Sequence, residues 1–233
     1  MKKIVIGISE GSKYQNYENW IKEAPGVEII KLSYHLNNIN EIEKCDGIIL
    51  TGGGDINPQL YHQPGFLAYT DPNDIDEKRD EFEWKIMQHT EDNQKPLLGI
   101  CRGLQFVNVY FSGVLLPDIP SFGKFNHATF KEGNDREHFV DIDPNSLLYK
   151  IVGEERGRIN SAHHQSVDIP GFGLVVNALS PDGIIEGMER REPHGKGYLM
   201  LVQWHPERMA NSESNFVKKI KESFLDAVRE SIQ

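Results

Sequence analysis

The sequence predicts an open, mostly parallel α/β sheet with helices on both faces and antiparallel strands added to it. Three observations carry that expectation. Through the first half of the chain, short apolar runs alternate with longer polar or amphipathic stretches, as when parallel strands are joined by helical crossovers. Those runs are continuous rather than alternating, which marks strands covered on both faces. The second half changes to short segments separated by turn residues, the pattern of antiparallel additions.

Taken in order, the first strand is expected over residues 3–8. The opening MKKIVIGISEG puts two lysines before an apolar stretch, but that stretch ends at Ile8. A secretory signal needs an apolar region of about 7–15 residues plus a cleavage site, so a buried strand is expected instead. A helix over 14–24 follows, then strands Val27–Leu32 and Gly47–Leu50. A second helix over 76–91 places Ile75, Phe82 and Ile86 near the helical period as a core stripe. The strand Leu97–Ile100 runs directly into a third helix, from about Arg102 to Gly113. Further strands are expected at 139–142, 157–160, Leu174–Leu179, 183–189 and 197–202, with Ser180-Pro181-Asp182-Gly183 as a hairpin turn. From Ser212 onward, Phe216, Ile220, Phe224 and Val228 repeat every four residues and predict a closing amphipathic helix.

The length of 233 residues, without repeat, low-complexity segment or long linker, predicts one domain spanning residues 1–233. Lys and Arg number 25 against 35 Asp and Glu, a net charge of −10 that argues against a nucleic-acid or anionic-membrane partner. No apolar run approaches the length of a membrane span. Between Asp71 and Asp92, nine acidic residues face Lys78, Arg79 and Lys85, so more than half of the excess sits on one loop and helix, expected as a solvated face. The two cysteines, Cys45 and Cys101, cannot form a disulfide scaffold and lack metal-ligand spacing, which fits a cytoplasmic protein.

Cys101 stands where an apolar strand meets a helix, flanked by Gly99 and Gly103. A sharp turn there lifts the reactive atom above the sheet, small residues on either side let strand and helix pack closely, and the helix N-terminus favours the thiolate. Cys45 has no such frame and is expected to be structural. A nucleophilic thiol needs a base with an orienting group behind it. His205, just past the last strand in Gln203-Trp-His-Pro-Glu207, supplies the imidazole, and Glu207, across a rigid proline, supplies the carboxylate. Thr51-Gly-Gly-Gly-Asp55 follows a strand and can aim amide N–H groups at an oxyanion, with the Arg102 amide as second donor. The loop lacks the Gly-Lys-Ser/Thr and Gly-x-Gly-x-x-Gly spacings of phosphate-binding loops.

Gly99-Ile-Cys-Arg-Gly-Leu-Gln105 together with His205-Pro-Glu207 resembles the class I glutamine amidotransferase superfamily. Three further segments, Thr51–Pro58, Asn160-Ser-Ala-His-His-Gln165 and Ser180-Pro-Asp-Gly-Ile-Ile-Glu186, resemble its free-standing γ-glutamyl-γ-aminobutyrate hydrolase branch, the glutamine-amidotransferase-like peptidases. The resemblance implies a flavodoxin-like core of the class I glutamine amidotransferase type. It implies a γ-glutamyl thioester chemistry with Cys101 as nucleophile, His205 as general base, Glu207 as its orienter, the amides of Gly53 and Arg102 as oxyanion donors, and neighbouring Gly54 in the same loop. Gln105 would touch the amino-acid end of the glutamyl group. His163, His164 and Gln165 are expected either on the pocket wall or in a buried turn. The substrate would be a small γ-glutamyl amide, with no metal or organic cofactor, and a homodimer is the default assembly. The alternative activity is a glutaminase subunit supplying ammonia to a separate synthetase. The segment 122–136 has no match to pocket residues.

Overall fold

The computed structural model describes residues 3–233. In chain order the strands are β1 (Ile4–Ser9), β2 (Val27–Leu32), β3 (Gly47–Leu50), β4 (Leu97–Ile100), β5 (Val114–Leu116), β6 (Arg136–Ile142), β7 (Arg156–Ser161), β8 (Ser166–Ile169), β9 (Leu174–Leu179), β10 (Ile185–Arg190) and β11 (Leu199–Val202). The α-helices are α1 (Tyr14–Lys22), α2 (Glu77–Asp92), α3 (Arg102–Tyr110), α4 (Leu147–Val152) and α5 (Asn215–Ser231). Three short elements lay below what sequence periodicity resolves, namely β5, α4 and β8, each too short to show a period.

The strands form one mixed sheet in the order β2-β1-β3-β4-β11-β10-β9-β6-β7, with β8 pairing β10 and β5. From β2 to β11 all pairings are parallel, and from β11 to β7 all are antiparallel. The expected parallel core with antiparallel additions is therefore the observed architecture. The chain leaves β1 for β2 on one side and returns to β3 on the other, so a topological switch point lies between β1 and β3. In open sheets the ends of strands beside such a point frame a crevice.

Side chains alternate across the sheet. Ile49, Leu98, Ile100, Met200 and Val202 enter the core shared with α1, α4 and α5, whereas Ile48, Leu50, Leu97, Leu199 and Leu201 enter the core shared with α2 and α3. Strands filled on both faces read as continuous apolar runs, which is why the central ones were visible in the sequence. The predicted stripe of α5 is buried in full: Phe216, Ile220, Phe224 and Val228 all face the core. The helix starts at Asn215 because Ser214 caps it, its hydroxyl accepting from Phe216 N–H at 3.2 Å.

Helix α2 corrects one expectation. Its acidic face is not wholly solvated, because Asp80 and Glu83 are buried. Their charge is balanced by Arg79 on the same helix and by Arg102 from α3. Among the described residues, no helix is long and apolar enough to cross a membrane.

Candidate active site

Cys101 lies between the last residue of β4 and the first of α3, and its backbone takes φ 53°, ψ −107°. A positive φ is strained for any residue with a Cβ. The turn is held from both sides, with Cys101 N–H donating to Val202 O at 2.8 Å and Gln105 N–H donating to Cys101 O at 3.2 Å. Both flanking glycines are required by close approach: a Cβ on Gly103 would stand 2.2 Å from Leu50 O, and one on Gly99 would stand 2.7 Å from Leu201 Cδ2. This sharp turn leaves the Arg102 N–H in the first, unpaired turn of a helix.

His205 follows β11 and so reaches the same edge of the sheet. Its backbone N–H donates to Asn160 Oδ1 at 2.9 Å, and the preceding Trp204 is pinned in the core by its indole N–H to Phe216 O at 3.2 Å. His205 Nδ1 is 2.8 Å from Glu207 Oε1, whose side chain has no solvent exposure. Cys101 lines the same cavity as this imidazole, the two side chains meeting over Gly52. Burial pushes the His205 imidazole down, but the charges of Glu207 and then Cys101 outweigh it and lift it to about 9. A protonated imidazole between two acids is thus the favoured state at neutral pH.

The glycine loop after β3 closes the other side. Gly52 N–H donates to the Tyr17 hydroxyl at 2.9 Å, and that hydroxyl lies 3.3 Å from His205 Nδ1. The Arg79 guanidinium donates to Thr51 O at 3.0 Å and Gly52 O at 3.1 Å, fixing the loop's carbonyls away from the thiol. Gly53 and Gly54 line a cavity of about 240 Å³ together with Cys101, His205, Tyr17, Asp74, Lys13, Thr129, Ala162 and Arg208. A larger cavity of about 710 Å³ lies at the opposite edge, beside the starts of β3, β4 and β11, and carries none of these residues.

Under the site, Arg102 and Arg79 converge on Glu83. Arg102 also reaches Asp80, while Arg79 Nε is 2.9 Å from Glu83 Oε1 and Ser9 Oγ donates to the same oxygen at 2.9 Å. Burial pushes Glu83 up, but Arg102 and Arg79 outweigh it and hold its carboxyl below the usual range. Two guanidiniums against two carboxylates leave the cluster neutral, and it ties α3, the glycine loop and α2 together.

The remaining expected site residues lie off the cavity wall. Gln105 is buried, its amide donating to Gln165 O at 2.9 Å and Gln203 Oε1 at 3.1 Å. His164 pairs with Asp55 at 2.7 Å and Asp118 at 3.4 Å. His163 and Gln165 are buried in the turn between β7 and β8. Cys45 is a buried thiol that burial pushes up to about 12. Sequence reasoning did not single out Tyr17, Arg79 or Glu83. Tyr17 carries no local signal, since it occupies an ordinary core position of α1, and the charges of α2 read as surface until the fold brings Arg102 across to them.

The chain matches the family model of peptidase C26 over residues 2–207. Protein NtpR of Enterococcus hirae is 34% identical over 206 residues, covering 86% of this chain and 83% of that one. Gamma-glutamyl-gamma-aminobutyrate hydrolase PuuD of Escherichia coli K12 is 29% identical over 231 residues, covering 94% and 87%. Among solved structures, the glutaminase domain of Trypanosoma brucei CTPS with bound acivicin has a TM-score of 0.67 over 98% of this chain and 94% of that one, at 14% identity, which shows a shared fold. With the match running from the start of the chain through the His205–Glu207 turn, the chain belongs to the peptidase C26 family of glutamine amidotransferase-like hydrolases.

Proposed function

We propose that the chain is a cysteine hydrolase that cleaves a γ-glutamyl amide, releasing glutamate and an amine. The observation that carries this is the Glu207–His205 contact at 2.8 Å, with His205 and Cys101, the latter on a strained turn, on the wall of one cavity. The similarity to PuuD over most of both chains supports the γ-glutamyl amide class.

The Cys101 thiolate attacks the γ-carbonyl carbon, and the carbonyl oxygen becomes an oxyanion held by the amides of Gly53 and Arg102. The Tyr17 hydroxyl already takes the Gly52 amide, which leaves the next amide in the loop for this task. His205, protonated, gives its proton to the departing nitrogen as the tetrahedral centre collapses to a γ-glutamyl thioester. Now neutral, it takes a proton from water, whose hydroxide attacks the thioester carbonyl. Glutamate leaves and the thiolate–imidazolium pair is restored. Asp74, Lys13 and Arg208 share the cavity wall, a carboxylate suited to an α-ammonium group and cations suited to an α-carboxylate.

The test is a panel of γ-glutamyl amides, including γ-glutamyl-γ-aminobutyrate and glutamine, with an α-linked glutamyl amide as control and release of glutamate as readout. Hydrolysis of γ-linked members and not of the control is expected. Failure on every γ-linked amide by a protein whose Cys101 still alkylates would reject the proposal. Glutamine cleavage seen only after adding a synthetase would favour the ammonia-supplying alternative.

A further inference from the structure

Four side chains outside the Cys101 cavity converge and are not used by the proposed reaction. His127 comes from the loop before β6, His138 from β6, His163 from the turn between β7 and β8, and Glu186 from β10. One donor atom from each lies within 4.8 Å of all the others. From Glu186 Oε1 the distances are 3.2 Å to His127 Nδ1, 3.5 Å to His138 Nε2 and 3.6 Å to His163 Nε2. These three ring nitrogens and both Glu186 oxygens are buried and meet hydrogen-bond geometry with no partner.

The outward ring nitrogens explain what the inward ones must be. His127 Nε2 faces the Asp182 carboxylate at 3.2 and 3.3 Å, His138 Nδ1 faces Phe139 O at 2.9 Å, and His163 Nδ1 faces Gln165 O at 2.9 Å. Carbonyl and carboxylate oxygens only accept, so each outward nitrogen carries the proton. In a neutral imidazole the other nitrogen is then a bare lone pair. With all three imidazoles neutral, three lone pairs and a carboxylate point at one another with no donor among them. Such an arrangement is costly unless a cation lies at its centre.

A proton on His127, whose Nδ1 stands 3.2 Å from Glu186, would answer one of these contacts only, because 3.5 and 3.6 Å exceed the roughly 2.7–3.2 Å of an N–H···O bond and leave the His138 and His163 nitrogens without a partner. The three separations from Glu186 suit a metal ion instead. The edge of a tetrahedron is about 1.63 times its centre-to-corner distance, so ligands about 2.0–2.2 Å from a Zn²⁺ ion stand about 3.3–3.6 Å apart. Imidazole ligands whose far N–H groups are held by a carboxylate or carbonyl are the usual arrangement around such an ion.

We infer that His127, His138, His163 and Glu186 form a tetrahedral binding site for a divalent transition metal ion, with Zn²⁺ the best match to three nitrogens and one oxygen. Four protein ligands leave no open position, so the ion is structural rather than catalytic. It staples the loop before β6 to β10 and to the β7–β8 turn. That loop carries Thr129 and that turn carries Ala162, both on the wall of the Cys101 cavity. The His163–Gln165 and Ser180–Glu186 segments, distinctive in the sequence but without chemistry of their own, meet at this point.

The test uses the full chain, stripped with a chelator, dialysed, and titrated with Zn²⁺ and separately with Co²⁺. Expected are about one equivalent bound per chain, a rise in thermal midpoint with Zn²⁺, and the visible absorption of tetrahedral Co²⁺ without a thiolate charge-transfer band. Glu186→Gln and His138→Ala should lose these signals, whereas Cys101→Ser, which removes the thiol of the other His and Glu cluster, should keep them. Should the first two variants not fold, the wild-type Co²⁺ spectrum decides alone. A folded, stripped chain that binds neither ion, or whose binding survives in Glu186→Gln or vanishes in Cys101→Ser, overturns the site.

Discussion

The guanidinium of Arg102 closes on the carboxylate of Glu83 with both side chains sealed from solvent. Because Arg102 follows the proposed nucleophile directly, this pair sets where α3 begins relative to α2. Glu83→Gln keeps the shape but leaves two guanidiniums facing Asp80 alone. Removing one partner of a buried pair costs about 3–5 kcal/mol. An unfolding free energy lowered by that amount in denaturant titration is expected, with activity reduced as well, since Arg79 loses its anchor and it holds the Thr51 and Gly52 carbonyls. Unchanged stability in Glu83→Gln would show that the network is not the brace described.

The positive φ of Cys101 gives a second expectation. Cys101→Ala removes the thiol but keeps a Cβ, and therefore keeps the strain; Cys101→Gly removes both. A residue forced into such a region costs about 1–3 kcal/mol, against about 0.5–1 kcal/mol for the extra chain freedom of glycine. Both variants are expected to be inactive and folded, with Cys101→Gly the more stable by about 1 kcal/mol in urea unfolding. A more stable Cys101→Ala would count against stored strain at the turn.

Those two cases mark what was legible in the sequence. Cys101 could be read because its signal is local, two glycines and a strand-to-helix junction within five residues, and His205 and Glu207 because they sit at a strand end next to one another. Glu83 could not be read, since nothing near it in the chain shows that Arg102 will lie across from it. Likewise His127, His138, His163 and Glu186 come from four segments that only the antiparallel half of the sheet brings together. The continuous apolar runs of β3 and β4 announced themselves, while β5 and β8, three and four residues long, are held by pairing rather than by their own pattern.

Tyr17 joins the glycine loop to the imidazole, accepting the Gly52 N–H at 2.9 Å beside His205 Nδ1 at 3.3 Å. Burial, then the charges of Glu207 and Cys101, push its hydroxyl well above the usual range, so it stays protonated. Tyr17→Phe leaves the buried Gly52 N–H without its acceptor, at a cost of about 1–3 kcal/mol. A lower melting midpoint is expected together with a kcat reduced by about tenfold, equivalent to about 1.4 kcal/mol, and little change in KM. A variant that loses stability while kcat stays at the wild-type value would confine Tyr17 to a structural part.

The pH profile follows from His205. Its imidazole, lifted to about 9 against the opposing effect of burial, binds a proton more tightly in the folded chain than in the unfolded one, where about 6.5 applies. The stability it contributes is therefore fully present below about 6.5 and lost as pH rises through about 9. In the proposed reaction the same proton goes to the departing amine, so kcat/KM should hold through neutrality and fall only near pH 9. The charge of Glu207 is the largest single effect that raises this imidazole. Glu207→Gln removes that charge while preserving the side chain's size, and the alkaline limb should move down toward neutral pH as the maximal rate drops by about 10²–10⁴-fold. Measuring kcat/KM between about pH 6 and 10 for both proteins separates the two effects: a reduced rate with an unmoved limb would mean that Glu207 orients the imidazole without sustaining its charge.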